Sequence, residues 1–256
     1  MASFITGPNI SVCWLRAVDL LLKQKRHESY NLFVEILDPL EENIGVRDDL
    51  NDILKKRKQQ SLTTVANTIF PSELYNNCEN RQKFYEKYLK VLPKLKHCTK
   101  KNNHGIYFER LIKWPSTKGD YVNQIENIIK RLNTQINNSN PVRVIYEAMI
   151  HHPNLDVSVY TPGLDNTIGF PCLSYLSFKL EGTKLHLVAV YRNHFFVERA
   201  YGNYLGLAEL LSFVCQETAC TVGSLCVLST HAQLESGTTQ TLRRMVDKFS
   251  DLVQVY

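Results

Sequence analysis

The chain has 256 residues, 44% of them hydrophobic and 21% charged, which is ordinary globular composition with enough apolar material for a sizeable core. A formal charge of +5 fits an anionic small molecule or weak nucleic-acid contact and demands neither. Seven cysteines without a CxxC pair give no zinc spacing and no disulfide framework, so they read as reduced thiols of a cytoplasmic protein. The N-terminal stretch MASFITGPNI lacks the basic segment and apolar core of a signal peptide, and no apolar run reaches membrane-spanning length. The expectation is a protein without metal, membrane or nucleic-acid partner. SVCWLRAVDLLLKQ places Val12, Leu15, Val18, Leu21 and Leu22 on one helical face, with Ser11 as cap. YNLFVEILDP alternates Leu32, Val34 and Ile36 and reads as a strand; VRDDLNDILKKRKQ reads as a charged helix. SLTTVANTIFP is β-branched up to Pro71 and reads as strand or loop. NRQKFYEKYLKVLPKL predicts a helix broken before Pro93, and the basic run from Lys94 to His104 a solvated loop.

DYVNQIENIIKRLNTQI predicts a helix with Val122, Ile125, Ile128, Ile129 and Leu132 on one face and Asp120 as cap. After the turn NNSNP, VRVIYEAMI reads as a buried strand. CLSYLSFKL and KLHLVAVYR are strands joined across Glu181 to Lys184 as a hairpin. YGNYLGLAELLSFVCQETA reads as a helix packed on the sheet, VGSLCVLSTHAQ as a strand, and TQTLRRMVDKFSDLV as a last amphipathic helix. The mixture lacks regular βαβ alternation and any glycine-rich phosphate loop, so the expected fold is α+β and one domain over 1–256.

Chemistry gathers in the second half. Cys172 in NTIGFPCLSYLSFKL, taken alone, reads as a small buried hydrophobe. A nucleophilic thiol needs a neighbouring cation, and the hairpin brings Arg192 of VAVYRNHF toward it. Arginine also offers a fork for phosphate. Asn203 in AYGNYLGLAELL is either a helix cap or an amide that can read a pyrimidine edge.

Together, FPCLSYLSFKLEGTKLHLVAVYRNHFFVERAYGNYLGLAELLSFVC resembles the second half of the thymidylate synthase and pyrimidine hydroxymethylase family. GIYFERLIKWPSTKGDYVNQIENIIKRL is similar to that family's tyrosine-glycine-x-x-tryptophan block, with Tyr107 and Gln124 on its positions. NPVRVIYEAMIHHPNLD is similar to the arginine-arginine strand, with Arg143 on the second arginine, and LSTHAQ to the aspartate-x-histidine-x-tyrosine segment, with His231 on the histidine. The resemblance covers roughly Gly105 to Met245. It implies a mixed sheet covered by helices and a sheet-on-sheet homodimer, with sheet faces apolar on both sides. It implies that Cys172 adds to C6 of a pyrimidine nucleoside monophosphate. Arg192 and Asn193 would then hold phosphate, Asn203 would read the N3–O4 edge and His231 the sugar. Arg143 would reach the neighbouring subunit's phosphate, and Tyr107 belongs to the same substrate-binding set. Asparagine at the base-reading position is the family's choice for uracil, where cytosine users are expected to carry aspartate.

The departures are as specific. The first strand arginine is Val142, an aspartate is replaced by Phe195, and a glycine beside the base is replaced by Arg199. The sugar-binding tyrosine is Gln233, and the aspartate before the histidine is Ser229. The N-terminal phosphate loop and the block with the catalytic glutamate have no match, which leaves Glu35 and Glu73 as the substitutes to consider. Family members close a C-terminal segment over the folate, and no counterpart follows Met245. The expectation is that 5,10-methylenetetrahydrofolate would be poorly held. Two functions follow: an enzyme that methylates or hydroxymethylates C5 of a pyrimidine nucleotide, or a nucleotide-binding sensor that keeps the pocket without turnover.

Overall fold

The computed structural model describes residues 2–98, 105–116, 118–152, 156 and 170–254. Strand β1 (Ser3–Gly7) and helix α1 (Ile10–Lys23) are followed by strand β2 (Glu28–Ile36) and helices α2 (Ile44–Lys56), α3 (Leu62–Ala66), α4 (Ser72–Asn76) and α5 (Arg81–His97). Helix α6 (Tyr107–Ile112) leads into a ribbon of β3 (Trp114–Pro115) and β4 (Tyr121–Val122), then helix α7 (Gln124–Gln135) and strand β5 (Glu147–Met149). The rest comprises β6 (Leu173–Glu181), β7 (Lys184–Tyr191), β8 (His194–Phe195), a π-helical turn over Phe196–Ala200, α8 (Tyr201–Gln216), β9 (Thr221–Gln233), α9 (Thr239–Lys248) and α10 (Ser250–Val253).

The main sheet runs β1-β2-β9-β7-β6-β5, with β8 also paired to β9. β9 lies antiparallel to β2 and parallel to β7, so the sheet is mixed and the fold is α+β. The hairpin β6–β7 closes on a two-residue turn in which Gly182 takes φ +59°, a conformation that glycine adopts without a Cβ penalty. Alternation then decides the faces. Leu32, Val34 and Ile36 of β2, Leu185 and Leu187 of β7, and Leu225 and Val227 of β9 are buried on one side, against α1 and α8. On the other side, cross-strand pairing aligns Phe4, Phe33, Leu228, Val190 and Tyr175 in one row across five strands. Phe4 at its end is 74% exposed.

Several elements differ from their sequence reading, each for a local reason. Asn9, not Ser11, caps α1 by accepting from the Val12 N–H; Ser11 is buried and shares a 2.8 Å hydrogen bond with the Tyr201 hydroxyl. The α7 cap is Asn123 rather than Asp120, because Tyr121 and Val122 pair with Trp114 and Pro115 in a ribbon. α5 runs through Pro93 to His97, and its last turn is held by a 2.6 Å ion pair between Lys96 and Glu109. Only Glu147–Met149 of VRVIYEAMI is strand; it lies on the sheet edge, and Val142 and Val144 are exposed rather than buried. Among the described residues, no helix is long and apolar enough to cross a membrane.

The SLTTVANTIFP segment is neither strand nor loop at its start but helix α3, capped by Ser61. Its β-branched residues pack on the glycine face of α8. A Cβ on Gly202 would stand 2.7 Å from Val65 Cβ, and one on Gly206 would stand 2.6 Å from the Ala66 carbonyl oxygen. That close approach carries Val65 and Thr68 to the wall of the cleft described below. Gly206→Ala gains roughly 1 kcal/mol of helix propensity. Because the blocking atom is backbone, overpacking is expected to outweigh it and give a net loss of about 1–2 kcal/mol, read as a lower denaturant midpoint at unchanged slope.

Candidate active site

The open end of the β6–β7 hairpin sets the site. The Arg192 N–H donates to the Cys172 carbonyl at 3.0 Å, so thiol and guanidinium leave the backbone side by side. The Cys172 N–H donates to the hydroxyl of Tyr107 at 3.3 Å, which ties the hairpin to α6. Burial pushes the Tyr107 phenol up to about 12, so it stays neutral. The Arg192 guanidinium lies over the Phe170 ring, 5.8 Å from its centroid.

A cleft of about 360 Å³ opens above Cys172. Asn193, Asn203 and Tyr107 line it, as do His194, Phe195, Arg199, Gln60 and Thr68. Arg199 projects from the π-helical turn and donates to the Gln60 amide oxygen. That turn has no cap of its own; Glu235 accepts from the Val197 and Glu198 N–H groups at 3.0 and 2.7 Å and does the work of one. α8 then starts without a break, and Asn203 falls on its buried side rather than at a cap position.

Asn203 is 2% exposed, and its Nδ2 lies 3.0 Å from Nε2 of His194. The His194 ring is 1% exposed and stacks on Tyr191 at 4.1 Å, and its Nδ1 lies 2.9 Å from Ser229 Oγ. Burial depresses this imidazole to about 3, so it is neutral at physiological pH. Oδ1 of Asn203 is buried and has no partner among the described residues.

The sugar-side residues form a second group. Oδ1 of Asn193 receives hydrogen bonds from His231 Nδ1 at 2.8 Å and Gln233 Nε2 at 2.9 Å. His231 Nε2 lies 3.3 Å from Glu28, and Tyr30 stacks on its ring. His231 thus reaches the cleft through Asn193. Arg143 does not reach it: it is exposed beside the β5 edge, where its carbonyl accepts from Lys179. Gln124 spans the Arg110 and Met149 backbones rather than pointing to the thiol. Glu35 hydrogen-bonds Thr6, and Glu73 lines a different hollow. Among the described lining residues there is no carboxylate, and among all described residues no cluster could hold a metal ion. The part of NTIGFPC before Phe170 and the basic run after Cys98 lie outside the described residues.

Three features were not readable as site residues. Gln60 and Thr68 come from the first hundred residues, where no motif marks them. Arg199 read as a departure and is a cleft-lining cation. His194 lies in a two-residue strand that carries no periodic signal.

Charge and burial oppose each other at the thiol. Desolvation raises the Cys172 pKa, and the Arg192 and Arg199 guanidiniums pull it back only in part, so the net direction is up. At neutral pH the group is mainly thiol.

No protein-family model matches the chain. One curated protein, described as a "putative thymidylate synthase" from Methanocaldococcus jannaschii, is 25% identical over 118 residues. The match covers 46% of this chain and 49% of that protein, so it spans about half the length of each. This similarity agrees with the resemblance carried by the Pro-Cys, arginine and asparagine positions.

Cys172 is therefore expected to be alkylated by iodoacetamide more slowly at pH 7 than the exposed Cys98, with a rate that climbs through pH 9. Arg192→Ala should slow it further, by about tenfold, since one cation beside a thiolate is worth about one pKa unit. Peptide mapping by mass spectrometry reads both.

Proposed function

We propose that the chain is a thymidylate synthase-like protein that binds a pyrimidine nucleoside monophosphate over Cys172 and activates its C5. The observation that carries this reading is that separate elements converge on one cleft: the thiol from the hairpin, the base-reading amide from α8, and Asn193 from the turn after β7. In this reading Arg192 takes the phosphate. The Cys172 thiolate adds to C6, the C5–C6 π pair moves onto C5 and O4, and C5 becomes a carbon nucleophile. Reprotonation at C5 and expulsion of the thiolate restore the starting base, so the adduct exchanges the C5 hydrogen with solvent. Transfer of a one-carbon unit to C5, as methyl or hydroxymethyl, is the reaction class that the resemblance implies.

The described cleft does not fit a nucleotide and 5,10-methylenetetrahydrofolate together. Its volume lies at the low end of the range for small-molecule sites, about 300–1,000 Å³. Arg199 and Phe195 stand where the family has glycine and aspartate. No step here depends on folate.

A second reading is favoured by the raised thiol and the lack of a lining carboxylate among the described residues: a nucleotide sensor that binds without turnover. Tritium release from 5-³H uridine nucleotides separates the two. Release that disappears in Cys172→Ala, with nucleotide binding retained, is the outcome expected of the enzyme. Binding without release under any condition selects the sensor. Arg192→Ala should weaken nucleotide binding about ten- to a hundredfold in either case, as expected for one lost charge-assisted contact.

The homodimer expected from the resemblance is proposed to use the outer sheet face. Its support is the row from Phe4 to Tyr175, which is apolar and lies opposite the helices. Leu228→Asp places a charge at its centre. It should halve the particle mass in sedimentation equilibrium; an unchanged mass would remove this face as the interface.

A further inference from the structure

Asn203 can present two different faces to a ligand, because its amide carries an acceptor and a donor at the same distance from the chain. The surroundings select one of them. Nδ2 carries only hydrogens, so the His194 Nε2 facing it at 3.0 Å must supply a lone pair. A neutral imidazole with a lone pair on Nε2 carries its proton on Nδ1 and donates it to Ser229 Oγ at 2.9 Å. The ring cannot swing away to change this: it is stacked on Tyr191, with interplanar angle 3°, and edge-packed by Phe196 and Tyr204. The amide is therefore held with Oδ1 unpartnered in a cleft-lining residue.

We infer that His194, set in its tautomer by Ser229, is a positioning residue that fixes the Asn203 amide so that the cleft offers a hydrogen-bond acceptor to the base and selects uracil over cytosine. This rests on the nucleotide reading above. Uracil presents an N3–H donor to Oδ1 and leaves O4 for the remaining Nδ2 hydrogen. Cytosine presents the N3 lone pair to Oδ1 and an amino group to a donor. A buried acceptor that meets another acceptor loses its hydrogen bond without replacement, which is worth roughly ten- to a hundredfold in affinity. The position of Ser229 beside His194 also gives a role to a residue that otherwise reads only as a lost aspartate.

Two measurements test it. The first needs no ligand: long-range ¹H–¹⁵N correlation spectra of the wild-type chain, with the His194 signals assigned by their loss in His194→Phe or by their shift in Ser229→Ala. The Nδ1–H tautomer, unchanged between pH 5.5 and 8, is expected. An Nε2–H tautomer would overturn the inference, because Oδ1 would then face the imidazole and the amide donor would face the cleft. The second is calorimetric titration with uridine and cytidine monophosphates, each as ribose and deoxyribose forms. The wild type should prefer uridine by ten- to a hundredfold, and His194→Phe and Ser229→Ala should reduce that ratio. An equal affinity for the two bases in the wild type, or an unchanged ratio in both variants, would overturn it. Silence from all four nucleotides would instead overturn the nucleotide reading of the cleft, and the tautomer would still decide whether the amide is locked.

Discussion

One imidazole joins the elements that build the cleft. His194 sits on β8, stacks on Tyr191 at the end of β7, meets Ser229 on β9 and holds Asn203 on α8. Its burial forbids the charged form, so the ring acts as a neutral spacer with one donor and one acceptor. The chain must leave β7, cross to β9 and enter α8 within a dozen residues, and this ring is what the crossing packs around. The same crossing places Asn193 and Arg199 on opposite walls of the cleft, with Arg192 just before it at the hairpin mouth.

Local chemistry at the thiol follows from that arrangement. Two guanidiniums flank Cys172, and no described residue forms an ion pair with either. Positive potential in a partly buried cleft favours an anionic ligand. Yet desolvation dominates at the sulfur, so the resting site is better prepared to bind than to attack. A nucleotide that is bound by Arg192 and read by Asn203 must bring C6 to a thiol that gives up its proton only reluctantly. That balance, rather than any single missing residue, separates the two functional readings.

Much of the sheet was legible in the sequence because period-two alternation survives wherever one face is buried: β2, β6, β7 and β9 all lie within their predicted runs or overlap them. α8 was legible for the opposite reason, as an apolar stretch too long for a strand. Failures cluster where a neighbour overrides local preference. The β-branched α3 is helical because glycines on α8 give it a place to pack. Pro93 sits inside a helix because Lys96 anchors the turn beyond it. Of the site, Cys172 and Arg192 could be paired from hairpin arithmetic alone, and Asn203 entered through resemblance. His194, Gln60 and Arg199 could not, because their roles arise from contacts between segments far apart in sequence and no local pattern marks them.

The central claim is that this cleft holds a pyrimidine nucleotide with its reactive carbon against Cys172. A crystal structure of the full chain with uridine monophosphate tests it most directly. The account predicts phosphate at Arg192, the base edge at Asn203, and C6 within about 3.5 Å of the Cys172 sulfur, the near-attack distance. A nucleotide bound elsewhere, or seated in the cleft with C6 turned away from the thiol, would contradict it.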